Sequence, residues 1–238
     1  MNRHRPSYHS LLRFLLTGVW ALAALAACTV TESDELQNSV GNSQQGRLLA
    51  IGTLRLLTPS GYCFDLDEGH RLLPADTSAV SGFHPVEGQR AIVIFTPWTV
   101  QPDTYTGYLH RIEPMLTLDA DTLSSQAADT LGHDPVSIGE AWLSAGYLNI
   151  RYQVMGDRRH LAAHSLRAVL PLARQQAGQP PLLELRHHAH GDTGSELCSG
   201  VASFRLSPLD EWLAPHRTLQ LVVRPLFSPD ERSYVLSK

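Results

Sequence analysis

From Leu48 to the C-terminus the apolar residues come in short runs, each cut off by Gly, Pro, Asp or Ser before a long helix could form. That punctuation constrains the fold more than any other feature, because short alternating or β-branched runs between turn residues read as strands. Leu48 to Leu57 is one such run, with Gly52 inside it as the mark of a bulge or tight bend, and Pro59-Ser60-Gly61 closes it. Tyr62 to Leu66, a turn at Asp67-Glu68-Gly69 and a return at His70 to Leu73 form a hairpin signature. Gly88 to Phe95 is the most β-branched stretch, and Thr106 to Ile112 follows it. Strands this short and this closely spaced suit a small barrel of the OB type over residues 48–117.

Residues 118–135 change character. Leu118 to Asp134 is polar, acidic and rich in Ser, Thr and Ala, and it reads as a linker between domains. Beyond it, over residues 136–238, Tyr147 to Val154 alternates cleanly. Leu148, Ile150, Tyr152 and Val154 would face a core, with Asn149, Arg151 and Gln153 in water. Leu182 to His188, Gly200 to Leu206 and Arg217 to Arg224 are further strands. Ser207-Pro208-Leu209-Asp210-Glu211-Trp212 carries a capping Ser, an early Pro and first-turn acids, and so predicts one short helix. The fold class expected is all-β: an OB-like barrel followed by an Ig-like antiparallel β-sandwich.

The N-terminus belongs to neither domain. Arg3, Arg5 and Arg13 precede or open an apolar stretch, Phe14 to Ala27, that runs into Cys28. As a helix this stretch would span about 21 Å, short of the ~30 Å hydrocarbon core of a bilayer. A basic start, a short apolar centre and small residues before a cut describe a secretory signal over residues 1–27. Leu25-Ala26-Ala27-Cys28 resembles the lipobox of bacterial lipoproteins, which implies lipid on the Cys28 thiol. Residues 28–47 then read as a flexible tether. Its acids Glu32, Asp34 and Glu35 fit either a surface-export signal or an ordinary solvated linker.

Charge narrows the partner. The 238 residues carry 19 basic and 23 acidic side chains, net −4, and removal of the three leader arginines makes the mature chain more acidic still. Neither value suits nucleic acid. The expected setting is the cell envelope, lipid-anchored, at the outer membrane.

The residues now assembled resemble the NigD-like lipoproteins of Bacteroidota. The resemblance rests on Gly88-Gln89-Arg90 opening a β-branched strand, and on Trp142 followed by Gly146-Tyr147-Leu148-Asn149-Ile150. It rests equally on Leu183-Glu184-Leu185-Arg186-His187 with Gly191-Asp192, then Val201-Ala202-Ser203-Phe204-Arg205-Leu206. His188-Ala189-His190 departs from it in being richer in His. The resemblance implies an OB-like domain, a C-terminal β-sandwich and a lipobox. The family name, drawn from a bacteriocin-associated gene cluster, implies an accessory or immunity role.

Few residues offer chemistry. His187-His188-Ala189-His190 with Asp192 is the strongest constellation, since imidazole is the commonest metal ligand and His188 and His190 share a strand face. A metal would need His160, His164 or His216 to converge on them, and surface histidines before a turn is the simpler reading. Asp192-Thr193-Gly194-Ser195 matches the aspartic-protease string, but no second such loop occurs to share a proton. Cys63 and Cys198 remain for the folded domains, either paired across them or buried separately. Tyr62, Phe64, Tyr105 and Tyr108 could form an aromatic face on the barrel. The reading is a non-enzymatic envelope protein that needs no cofactor and binds a protein or glycan. The alternative is a metal-dependent hydrolase at His187–His190 and Asp192.

Overall fold

Strand pairing closes the first domain on itself. In the computed structural model, which describes residues 46–57, 61–123 and 128–238, β1 (Leu48–Leu56), β2 (Tyr62–Leu66), β3 (Arg71–Asp76), β4 (Arg90–Gln101) and β5 (Thr104–Pro114) form a closed barrel. Their order is β1-β2-β3-β5-β4, with β4 returning to β1. Closure removes exposed sheet edges, and the inward side chains Leu54, Phe64, Leu72, Val93, Phe95 and Leu109 are fully buried. Gly52 sits where β1 crosses between Leu66 of β2 and Ala91 of β4. A Cβ there would lie 3.0 Å from both the Asp65 carbonyl oxygen and the Leu66 side chain, which accounts for a glycine inside the run. The signal segment 1–27, Cys28 and nearly all of the tether lie outside the described residues. No described helix is long and apolar enough to cross a membrane.

The second domain is a two-layer sandwich, and its edges correct the sequence reading. The end of the expected barrel and the start of the expected linker form β6 (Leu116–Asp119) and β7 (Asp121–Leu123). The remaining strands are β8 (Ser137–Ser144), β9 (Tyr147–Gly156), β10 (Ser165–Pro171), β11 (Leu182–His188), β12 (Glu196–Arg205), β13 (Thr218–Val223) and β14 (Arg232–Ser237). One sheet runs β14-β13-β11-β10-β7 and the other β6-β12-β9-β8. β6 and β7 each end a sheet, and the chain steps from one layer to the other at the buried Ala120. An outer strand needs few apolar residues, so a polar composition that reads as loop still pairs. Both pair in parallel, β6 with β12 and β7 with β10, as β11 does with β13, so the sandwich is mixed rather than wholly antiparallel.

β8 turns into β9 through Ala145 and Gly146, both at positive φ (47° and 80°). That is the two-residue hairpin whose twist matches its strands, and it leaves Ser144 paired with Tyr147. The expected helix is present as a 3₁₀ turn, Ser207–Leu209, leading into α1 (Asp210–Leu213). Its Leu209 and Leu213 cap the core formed by Leu148, Ile150, Phe204 and Leu221.

Barrel and sandwich meet around the Arg90 side chain. Arg90, the first residue of β4, is 0% exposed and the largest fully buried residue. Its two terminal nitrogens donate to the Asp67 carboxylate at 2.5 and 2.6 Å. The remaining N–H groups reach Thr53 Oγ1, Asn149 Oδ1 and Ser203 Oγ, each at 3.2 Å. The guanidinium also lies 4.5 Å from the centre of the Tyr147 ring. Thus every N–H of the fork has an acceptor, two residues from the barrel and two from the sandwich. Ser144 Oγ donates to Asp67 Oδ2 at 2.5 Å and accepts from Asn149 Nδ2 at 2.9 Å. Ser203 donates to Asn149 as well, closing the network. Asn149, which alternation placed in water, is instead 0% exposed, because its face of β9 is covered by the barrel.

Removing one partner of such a pair strands the other charge. Arg90→Ala leaves the Asp67 carboxylate with only 13% of its side chain in water. The expected loss in a urea unfolding experiment is about 3–5 kcal/mol. A loss below about 1 kcal/mol, the value of a surface pair, would contradict this account.

Candidate functional site

The histidine-rich end of β11 is where the sequence placed its chemistry, and the fold divides it in two. His187, 2% exposed, points into the sandwich; His188 and His190 lie outside it.

On the inner side four groups form a line. His187 Nδ1 lies 3.1 Å from the Pro135 carbonyl oxygen, and its Nε2 lies 3.0 Å from His164 Nδ1. His164, which ends the 3₁₀ turn Leu161–Ala163, places Nε2 3.0 Å from Asp192 Oδ2. Asp192 also accepts the Asp157 and Gly194 amides, each at 2.8 Å. These two backbone N–H groups, reinforced by His164, hold its carboxyl down to about 2, below the ordinary 3.8. The D-T-G string is therefore a turn in which Asp192 caps the amide two residues on, as short polar residues do.

The line has acceptors at both ends, since a carbonyl and an ionised carboxylate can only accept. Three hydrogen bonds then need three ring protons, and two neutral imidazoles carry only two. The line is complete when one ring is an imidazolium. Burial pushes His187 toward its neutral form, lowering its pKa, with the Pro135 contact opposing this and the neighbouring His164 adding to it. His164 and His187 form part of the wall of a cleft of about 430 Å³, otherwise lined by Tyr152, Val154, Leu161, Leu166 and Arg158 among others. A second cleft, about 440 Å³, opens between the β8–β9 turn and α1, with Leu143, Tyr147, Leu206, Asp210, Leu213 and Lys238 around it.

On the outer side His188 Nδ1 lies 3.2 Å from His190 Nε2, and the ring centres are 3.9 Å apart. Asp192 is absent from this pair, being committed to His164. His160 lies by Asp157, 3.8 Å from its carboxylate, and His216 follows α1. The constellation His187, His188, His190 and Asp192 is thus two separate arrangements. Among the described residues no three or more His, Cys, Asp or Glu side chains are gathered as a metal cluster. The residue that sequence reasoning underrated is His164, whose role depends on the register of β10 against β11.

The remaining candidates settle into the cores. Cys63 and Cys198 are free thiols, each buried, so the bond between domains is not formed. Burial raises the Cys63 thiol above its ordinary value. Phe64 is fully buried, and Tyr62 meets it edge-on at 5.8 Å. Tyr105 stacks on His70 at 4.6 Å and leans on Phe95, while Tyr108 meets His110 edge-on. The four aromatics are packed against neighbours rather than aligned as an open platform.

The sequence matches the NigD-like N-terminal OB domain over residues 51–113 and the NigD-like C-terminal beta sandwich domain over residues 120–237. The chain belongs to the NigD-like family. Solved structures agree in fold. A protein described as toxin related, from Parabacteroides distasonis, is 27% identical with a TM-score of 0.65, covering 81% of this chain and 93% of its own. A protein described as a lipoprotein, from Bacteroides fragilis, is 12% identical with a TM-score of 0.63, covering 81% and 98%. A NigD-like immunity protein from Bacteroides caccae is 18% identical with a TM-score of 0.57, covering 83% and 95%. No curated protein matches the sequence. Three of the motifs behind the resemblance meet in the NigD-like fold at one place, where Arg90, Tyr147, Asn149 and Ser203 join the buried network; Leu183 to His187 with Asp192 lies apart from it.

The inner line sets a pH dependence. Asp192 has its carboxyl depressed in the fold, so its contribution is whole above the ordinary 3.8 and is lost as pH falls toward about 2. His187 is also depressed, so its contribution is whole above its ordinary 6.5 and declines as pH drops below that. Melting temperature followed from pH 7 to 2 should fall in both windows. Asp192→Asn should flatten the lower one, and an unchanged slope there would refute the assignment.

Proposed function

We propose that the protein is a non-enzymatic lipoprotein of the cell envelope whose folded unit binds a protein partner. The observation that carries this reading is the family match across both domains, residues 51–113 and 120–237. The anchor would be lipid on Cys28 after removal of residues 1–27, holding the domains on the tether at the outer membrane. The toxin-related relative and the immunity protein of the same fold support a bacteriocin-linked immunity or accessory role.

A protein is favoured over a glycan because Phe64 is buried in the barrel, and Tyr62 and Tyr105, half-buried, are packed against its core and neighbouring rings. Apolar side chains left in water support the same choice. Phe227 is 81% exposed in the loop before β14, and Val235 is 70% exposed on β14, which ends its sheet. An outer strand of this kind can take an extended segment of a partner by strand addition.

The anchor and the contact separate experimentally. Cys28→Ala should move the protein from the membrane to the soluble fraction, and retention in the membrane would exclude lipid on Cys28. In pull-downs from native envelope, Phe227→Asp with Val235→Asp should reduce recovery of the partner by about tenfold or more, as loss of a central apolar contact does. Undiminished recovery would place the contact elsewhere.

A further inference from the structure

The turn after β11 is built more tightly than a surface turn requires. β11 ends at His188, and the Ala189 amide is held by Asp134 Oδ2 at 2.7 Å. His190 then adopts φ 51°, followed by Gly191 at φ 82°. A left-handed conformation is uncommon for a residue with a side chain, and such outliers gather at functional positions. Its effect here is to fold His190 back over His188. Ser165, the first residue of β10, lies opposite His188 in the β10–β11 register, and its Oγ is 3.2 Å from His190 Nε2.

The His188 ring is fixed from behind. Gly132, at φ 74°, passes so close that a Cβ there would lie 2.5 Å from His188 Cβ and 2.7 Å from its Cδ2. Only glycine leaves room for the ring in this position. His190 Nε2 therefore lies 3.2 Å from each of two other donor atoms, His188 Nδ1 and Ser165 Oγ. Two imidazole nitrogens bound to one tetrahedral metal ion at 2.0–2.1 Å stand about 3.3 Å apart. The observed separation is 3.2 Å.

We propose that His188 and His190, with Ser165 beside them, form a surface site for a divalent transition-metal ion. The donor set selects its class. Two imidazoles and a hydroxyl, with no thiolate and no carboxylate, suit Cu²⁺, Zn²⁺ and Ni²⁺, with Cu²⁺ bound most tightly, and do not suit Ca²⁺ or Mg²⁺. The open side of the site leaves coordination positions for water or for a donor from outside the chain. The site is independent of the partner-binding reading and involves no reaction.

Calorimetric titration of the full-length protein in detergent with Cu²⁺ and with Zn²⁺ tests it, alongside histidine-ring NMR signals. One ion per chain should bind, with the ring signals of His188 and His190 responding first, and Mg²⁺ should have no effect. His190→Asn keeps a residue that tolerates the left-handed turn, and it and His188→Ala should each weaken binding by about tenfold or more. His160→Ala, which removes a ring lying by Asp157 instead, should leave binding unchanged. The proposal is overturned if the unaltered protein takes up neither ion saturably, or if uptake survives His188→Ala and His190→Asn together. The NMR response of the unaltered protein decides the matter even if a variant fails to fold.

Discussion

The buried Arg90–Asp67 pair is the constraint on which the two-domain arrangement depends. Two charges removed from water cost several kcal/mol each, and their attraction offsets this only when geometry is good and every remaining donor is matched. Here the matching acceptors come from four strands or turns: Thr53 in β1, Asp67 after β2, Asn149 in β9 and Ser203 in β12. Barrel and sandwich must therefore meet in one register for the guanidinium to be satisfied. Gln89 adds a second tie at the same corner, donating to the Met115 carbonyl at 2.7 Å just before β6 begins. The described residues from 46 to 238 accordingly fall in one compact unit.

This rigid junction leaves the chemistry at other ends of the molecule. The left-handed turn at His190 and Gly191 separates an inward histidine line from an outward histidine pair, although the residues are adjacent in sequence. The inner line is satisfied by Pro135, His164 and Asp192, so its hydrogen-bonding capacity is used within the fold. The outer pair faces water. A lipoprotein that acts by contact needs an intact surface more than a reactive centre, and the free apolar side chains at Phe227 and Val235 suit that role.

Much of the fold is legible in the sequence where local pattern and burial agree. The β-branched run at β4, the alternation of β9 and the Ser-Pro start before α1 each read correctly, because the side chains that fix them are neighbours along the chain. The misreadings share one cause. Asn149 looks solvated because alternation reports which residues share a face, not what covers it; the barrel lies over that face, its Arg90 59 positions away in sequence. β6 and β7 look like linker because outer strands carry few apolar residues. β10 and β14 go unseen although each pairs with its neighbour along the chain, β11 and β13; β14 is an outer strand with no fully buried residue. At the candidate site, His188 and His190 could be nominated from spacing, but the diversion of Asp192 to His164 requires the β10–β11 register. The family motifs were legible as strings, while the meeting of three of them around one guanidinium was not.

Differential scanning calorimetry of the full-length protein tests the central claim most directly. If the Arg90 network makes barrel and sandwich one cooperative body, the folded unit melts in a single transition with equal calorimetric and van't Hoff enthalpies. Two resolved transitions, one for each domain, would show that the junction does not couple them and would contradict the account.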